Sequence, residues 1–424
     1  MNIKNKIIKN TFWLLGERII NILGLIFVTS YVAKYLGPDN FGKLSLATYI
    51  YSLIQTIAIW GSDTISVKRI SRNKSSGLSM LMSLRMIRVP IFIIAFIPTE
   101  IYIYITSDKL TLYYSLAVAL SSLIAIQDFF VIANDATYNS KYNVITNVIG
   151  VFISFLVRYL IVLYQLDIVF FCLPIVLLNL VPYMLRYLNF RVNNKITLKL
   201  DKSRRKFYFK YVLASGLPIV ISSVSVAIYF NTSRLMLGAV ESVKSLGIYS
   251  VAITLGSSWG FVNNAFITSI TPKLYSKDSV DKTCFIAAFM SQFVIVITFL
   301  YAVFFFLLGN FIINSLYGYE YLSSFYVTFP LILSTGLSGL GMVTTRYIIN
   351  YNGYSFLGRK ATCVCVLGLF ISYFFIKIWG MLGAAISTLA IEFISLTVMN
   401  YFFKGCSVFK MHLSIFKLFN YKNL

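Results

Sequence analysis

The chain has 424 residues, of which 58% are hydrophobic and only 12% charged, and its mean hydropathy is +0.79. That balance excludes a soluble globular domain, because apolar stretches fill the sequence almost end to end, each near the ~20 residues that cross a bilayer core. The formal charge of +23 would suggest nucleic acid in a soluble protein; here Lys and Arg flank apolar stretches, so anionic lipid headgroups are the expected partner and nucleic acid is not.

In chain order, Lys4, Lys6 and Lys9 precede a full-length first stretch with no small-residue cleavage site, which reads as an anchor rather than a removed signal. Spans are predicted over 12–34, 41–62, 80–105, 110–134, 142–164 and 167–190, with only Thr106–Lys109 between the third and fourth. The strongly basic loop 191–211 follows. Six more spans are predicted over 212–237, 246–270, 284–308, 325–349, 357–378 and 380–403, ahead of a cytoplasmic tail, 404–424. The expected fold is an all-α integral membrane protein of twelve transmembrane helices in two six-helix lobes, 1–200 and 201–424. Outer segments carry only Lys43, Lys109, Lys244 and Lys377, whereas most other basic residues fall on the inner side. Positive charge inside places both termini in the cytoplasm.

The loops also bear on chemistry. The longest outer connection is Gly309–Ser324, and the outer carboxylates (Asp39, Glu100, Asp108, Asp167, Glu241, Glu320) are scattered. The one histidine, His412, lies near the cytoplasmic end, and the cysteines Cys172, Cys284, Cys363, Cys365 and Cys406 have neither metal-ligand nor disulfide-framework spacing. With no phosphate-cradling glycine loop or nucleophile arrangement either, the expectation is a conduit or carrier, not an enzyme, with no metal and no cofactor.

The halves are built alike. YLGPDNFGKLSLATY from Tyr35 and MLGAVESVKSLGIYSVAIT from Met236 both close a span with Leu-Gly and open the next with Gly, aligning Gly42 with Gly247, Ser45 with Ser250 and Ala47 with Ala252. Six spans per half makes these parallel repeats, which leave a cleft between lobes as the expected cargo path. Polar stripes at helical spacing support it: Ser215, Ser222, Ser225, Tyr229 and Thr232 in span seven, and Ser250, Thr254, Ser257 and Asn264 in span eight. Helix–helix packing explains such a stripe equally well.

Each intramembrane charge costs ~2.5–3.5 kcal/mol on insertion scales and asks for a reason. Glu17, Arg18 and Asn21 cluster at the inner end of span one, with Arg85 and Arg88 in span three and Asp128 in span four. Arg158 reads as the deepest cation, in span five, Arg234 lies near the outer end of span seven, and Glu392 is mid-span twelve. Cations around a cleft suit an anionic cargo, since guanidinium binds phosphate oxygens as a fork. Glu17, Asp128 and Glu392 are candidates to take up H+ or Na+. Structural pairs, Arg158–Glu392 or Arg18–Glu17, are the competing reading, and snorkelling is the reading for Arg85, Arg346 and Lys34.

Asn10–Ala47 (NTFWLLGERIINILGLIFVTSYVAKYLGPDNFGKLSLA), Ser215–Ala252 and Trp379–Phe393 (WGMLGAAISTLAIEF) together resemble Wzx-type oligosaccharide flippases, polysaccharide biosynthesis transporters of the MOP superfamily related to the MATE exporters. The resemblance implies a V-shaped, MATE-like pair of lobes in the bacterial inner membrane. It implies a cargo of undecaprenyl-diphosphate-linked oligosaccharide repeat units, moved to the outer leaflet by alternating access for O-antigen or capsule. A polysaccharide polymerase or assembly complex is then a candidate partner. Arg18, Arg88, Arg158 or Arg234 would meet the diphosphate, with Asn21, Ser222, Ser225 and Asn264 in the same cavity. One departure is Ser233, where the family often has an acid, so that coupling would fall to Glu17, Asp128 or Glu392. A related exporter of drugs or of another lipid-linked precursor, and a non-transporting scaffold of an assembly complex, are the alternatives.

Overall fold

The structure, a computed structural model, describes residues 3–72, 74–136, 139–193, 202–275 and 280–415; the side chains of 3–23 and 25–27, and that of Ser222, lie outside the description. All regular elements among the described residues are helical. In order they are α1 (Ile3–Ile59), α2 (Ser62–Arg72), α3 (Lys74–Thr106), α4 (Lys109–Gln127), α5 (Phe129–Ala136), α6 (Ser140–Leu163) and α7 (Cys172–Asn193). They continue as α8 (Lys202–Val240), α9 (Val243–Ser257), α10 (Gly260–Tyr275), α11 (Val280–Leu316), α12 (Ser324–Asn350), α13 (Tyr354–Leu396), α14 (Val398–Tyr401) and α15 (Ser407–Ser414). Nine helices among the described residues are long and apolar enough to cross a membrane.

The helix ends follow from local chemistry. α1 turns at Gly37 (φ 71°, ψ 169°), a conformation that only glycine adopts readily, and Pro38 restarts the helix where a missing N–H costs nothing. α13 turns likewise at Gly380 (φ 55°, ψ −130°). The Asp108 side chain caps α4 by accepting from the Thr111 N–H.

Two spans read as continuous in the sequence are broken, and the second span stops at its predicted end. Trp60 and Gly61, both at positive φ, separate α1 from α2, and Ser258–Trp259 separates α9 from α10. Asp128 separates α4 from α5. Hydropathy is blind to the breaks at Asp128 and Ser258–Trp259, because the residues on either side stay apolar. Trp259 Nε1 donates to Gly256 O at 2.9 Å across its own break, whereas Trp60 Nε1 donates at 3.1 Å to Leu213 O inside α8. α8 approaches the first break so closely that a Cβ on Gly216 would lie 2.4 Å from Trp60 O.

The chain forms two compact units, Met1–Ala227 and Ile228–Leu424, and α8 supplies residues to both. In the first, α6 packs on α7 and α1, and α4 on α7 and α1. A buried cluster of Ile65, Met80, Leu84, Ile87, Ile132 and Val212 joins α2, α3, α5 and α8. In the second, α12 is central, packed by α13, α11 and α9. The C-terminal α15 folds back there, with Val408 and Met411 buried in a core that includes Met290 and Val343. Ile94, Ile101 and Ile105 on α3, and Phe299, Phe306 and Phe311 on α11, are exposed and apolar, as lipid-facing residues must be.

Candidate functional site

The sequence singled out charges within spans, and the structure supplies their surroundings. Arg88 on α3 is 2% exposed. Its Nε and Nη2 donate to Ser62 Oγ at 2.9 and 2.6 Å, its Nη1 donates to Ile126 O at 2.9 Å, and its Nη2 also pairs with Asp63. The Phe129 ring lies 5.2 Å from the guanidinium carbon. These partners sit at the α1–α2 break and at the end of α4, so Arg88 satisfies polar groups that broken helices leave open. Arg88 was expected to meet the cargo diphosphate; here its guanidinium is buried and bonded to protein oxygens.

Asp128 was a candidate for ion coupling. It pairs with Arg186 Nε at 3.1 Å, and Arg186 Nη2 also donates to Asn147 Oδ1 at 2.6 Å, tying the α4–α5 break to α7 and α6. A carboxylate with a fixed guanidinium is a poor exchanger, and the structure assigns Asp128 to packing.

Arg158 is different. It is half-buried on α6, its nearest ring is Phe155 at 5.9 Å, and among the described residues no carboxylate pairs with it. Five residues separate it from the end of α6 at Leu163, about 8 Å along the axis.

In the second unit, Arg234 on α8 is half-buried and donates from Nη1 to Asn231 Oδ1 at 3.2 Å. Its neighbour Ser233 sits in a buried hydroxyl cluster, 3.1 Å from Ser372 Oγ and 3.3 Å from Ser387 Oγ, and accepts from Thr388 Oγ1 at 3.1 Å. Ser225 is 9% exposed and donates to Ile221 O at 2.8 Å. Asn264 is half-buried on α10. Glu392, 8% exposed in the second half of α13, lies beside the Tyr229 hydroxyl and within Coulombic reach of Lys360, which donates to Asn400 Oδ1 at 2.9 Å. Within its unit, then, the cation facing Glu392 is Lys360, which the sequence reading did not single out. The side chains of Glu17, Arg18, Asn21 and Ser222 lie outside the description.

Sequence reasoning also missed Glu100. It was taken for an outer-loop carboxylate, but it lies inside α3, 8% exposed, accepting on Oε1 from Tyr51 Oη of α1 and from Ser115 Oγ of α4 at 2.5 Å. An ion cluster outside the spans was missed too: Lys43 Nζ lies 2.9 Å from Asp39 and 2.8 Å from Asp108. Burial would raise the Asp108 carboxyl, but hydrogen bonds from Lys43 and Thr111, with the Lys43 charge, hold it below its ordinary value. No group of three or more His, Cys, Asp or Glu placed to hold a metal occurs among the described residues.

Long lipid-facing helices, breaks within spans and neutralised buried charges mark a multi-pass membrane protein. The fold is similar to that of MurJ, a lipid II flippase, in an inward closed conformation, with a TM-score of 0.67 at 13% identity over 96% of this chain and 90% of that one. It is also similar to an inward-facing MATE-family multidrug resistance transporter of the MOP superfamily, with a TM-score of 0.62 at 14% identity over 95% of each chain. A MOP superfamily transporter from Pyrococcus furiosus, described as having a binding pocket of reversed polarity, gives 0.59 at 12% identity over 97% of each chain. At these identities the likeness is one of fold. Residues 7–274 match the polysaccharide biosynthesis protein family, and the chain belongs to it. No curated protein matches it in sequence. The solved structures that it resembles in fold are those of transporters.

Proposed function

We propose that this chain is a Wzx-type flippase that carries undecaprenyl-diphosphate-linked oligosaccharide repeat units from the inner to the outer leaflet for O-antigen or capsule assembly. Arg158 carries the reading: a half-buried guanidinium inside a span, with no carboxylate partner among the described residues, in a chain of the polysaccharide biosynthesis family. An unpaired cation at that depth is costly, and a diphosphate supplies the missing charge in the geometry that guanidinium prefers. Arg234, with its Asn231 partner, is the corresponding cation of the second unit, and Arg18, Asn21, Ser222, Ser225 and Asn264 complete the proposed cargo contacts. Glu392 and Glu17 would take up a coupling H+ or Na+.

Another lipid-linked precursor is the second reading, favoured by the likeness to a lipid II flippase. Deleting the gene and extracting lipid-linked oligosaccharides separates the two. Accumulation of one repeat unit with surface glycan lost supports the first reading. Accumulation of a peptidoglycan precursor with intact surface glycan supports the second, and an unchanged lipid pool overturns both.

A further inference from the structure

The carboxylates buried in or beside the spans share a rule to which Glu100 is the exception. Asp63 has Arg88, Asp128 has Arg186 at 3.1 Å, and Glu392 has Lys360. Among the described residues no Lys, Arg or His pairs with Glu100. It is 8% exposed, about 9 Å inside the Thr106 end of α3. Oε1 accepts from both Tyr51 and Ser115, while Oε2 is buried with no hydrogen-bond partner.

What surrounds it cannot neutralise it. α1 presents Tyr51, flanked by the Phe92 and Phe96 rings of α3 itself at 6.1 and 6.5 Å, and α4 presents Ser115. Along these helices the next charges are Lys109, exposed and six residues from Ser115, or about 9 Å, and Lys43, eight residues from Tyr51, or about 12 Å, which is held by Asp39 and Asp108. α2 packs at the opposite end of α3, where Asp63 meets Arg88. A carboxylate taken out of water without a cation is strongly disfavoured, and two hydroxyl donors on one oxygen leave the other without compensation.

We infer that Glu100 binds one small monovalent cation, a proton or Na+, on Oε2, with Tyr51 and Ser115 fixing the other oxygen. A proton needs only the Oε2 lone pair. Na+ would draw in the Tyr51 and Ser115 oxygens as further ligands once their hydrogens turn away, since it is satisfied by oxygen donors. The inference goes beyond the cargo reading, because binding at Glu100 does not depend on what the protein carries.

The test uses the full-length protein in lipid nanodiscs, with two readouts: the thermal midpoint in NaCl against KCl at equal ionic strength, and the infrared difference spectrum between acidic and alkaline buffer. A rise in midpoint with Na+ but not K+, abolished in Glu100→Gln, identifies Na+. No Na+-specific rise, with a protonated-carboxyl C=O band that titrates in wild type and is missing from Glu100→Gln, identifies a proton. If Glu100→Gln reproduces the wild-type protein in both readouts, the inference is overturned. Should that variant not fold, Tyr51→Phe keeps the carboxyl and removes one donor. A change of about tenfold in cation affinity is then expected, and an unchanged affinity overturns the site.

Discussion

Arg88 Nη1 donates to the Ile126 carbonyl at 2.9 Å, tying α3 to the last turn of α4 just before that helix stops at Asp128. The same guanidinium reaches Ser62 and Asp63 at the start of α2. One side chain therefore holds two helix breaks, through donors that point in different directions. Lysine offers a single ammonium and cannot span both. Arg88→Lys should lower stability by about 3 kcal/mol or more, because it strands polar groups in a dry site. The check is the thermal midpoint and detergent-solubilised yield. A variant that folds normally but fails only in transport would restore Arg88 to the cargo path.

Hydropathy and charge bias made much of the fold legible. The fifth predicted span, 142–164, is α6 (Ser140–Leu163), and the tenth, 325–349, is α12 (Ser324–Asn350). The first Leu-Gly closure was legible too, because a chain reversal beside an apolar helix needs a residue free at positive φ, and Gly37 provides it, whereas Gly238 of the second closure lies within α8. Lateral neighbours were not legible. Arg88 meets Ser62 across 26 positions, Arg186 meets Asn147 across 39, and Tyr51 meets Glu100 across 49. Such pairings are set by how helices pack, which a one-dimensional pattern of apolar residues does not encode. The Trp-Gly dipeptide at Trp259–Gly260 was the available signal for one of the breaks, since a tryptophan N–H can serve a carbonyl released where a helix stops.

Arg158 stands apart from the other buried cations in having an aromatic ring, not a carboxylate, as its described neighbour. A structural role would make Arg158→Gln a folding defect. Contact with a diphosphate would instead leave the protein folded while transport falls about tenfold or more, the scale of losing charge-assisted hydrogen bonds. Arg158→Lys should retain part of the activity, since it keeps the charge but not the fork. Surface glycan measured at matched protein level distinguishes these outcomes.

Lys360 and Glu392 sit on the two halves of α13 that meet at Gly380, within Coulombic reach of one another. Removing one partner leaves the other buried and uncompensated, so Lys360→Met should destabilise the protein by about 3 kcal/mol. The double variant Lys360→Met/Glu392→Gln should recover most of that loss, because neither charge then remains. Thermal midpoints of the two single variants and the double variant give the coupling. Additive losses would show that the two side chains do not act as a pair.

His412 pins the C-terminal α15 to the second unit. Thr344 already donates its hydroxyl to Leu340 O at 3.0 Å, so its oxygen is free to accept from His412 Nε2–H at 3.2 Å. His412 Nδ1, 3.3 Å from the Tyr401 hydroxyl, is then the acceptor, and the ring is neutral. Burial pushes its pKa down to about 4. An unfolded histidine takes up its proton near pH 6.5, so below that value the unfolded chain binds more protons than the folded one. The stability His412 contributes is fully present above about pH 6.5 and is lost as pH falls through about 4, a loss of about 3 kcal/mol. His412→Gln, which can still donate to Thr344 and accept from Tyr401, should remove that share of the pH dependence while keeping α15 docked at neutral pH. Hydrogen exchange of the tail between about pH 6.5 and 4 reads it directly: α15 amides should lose protection in the wild-type protein well before the α12 core does, and in His412→Gln they should not. Equal loss of protection in both proteins would mean that α15 is held by Val408 and Met411 alone, with no part played by the imidazole.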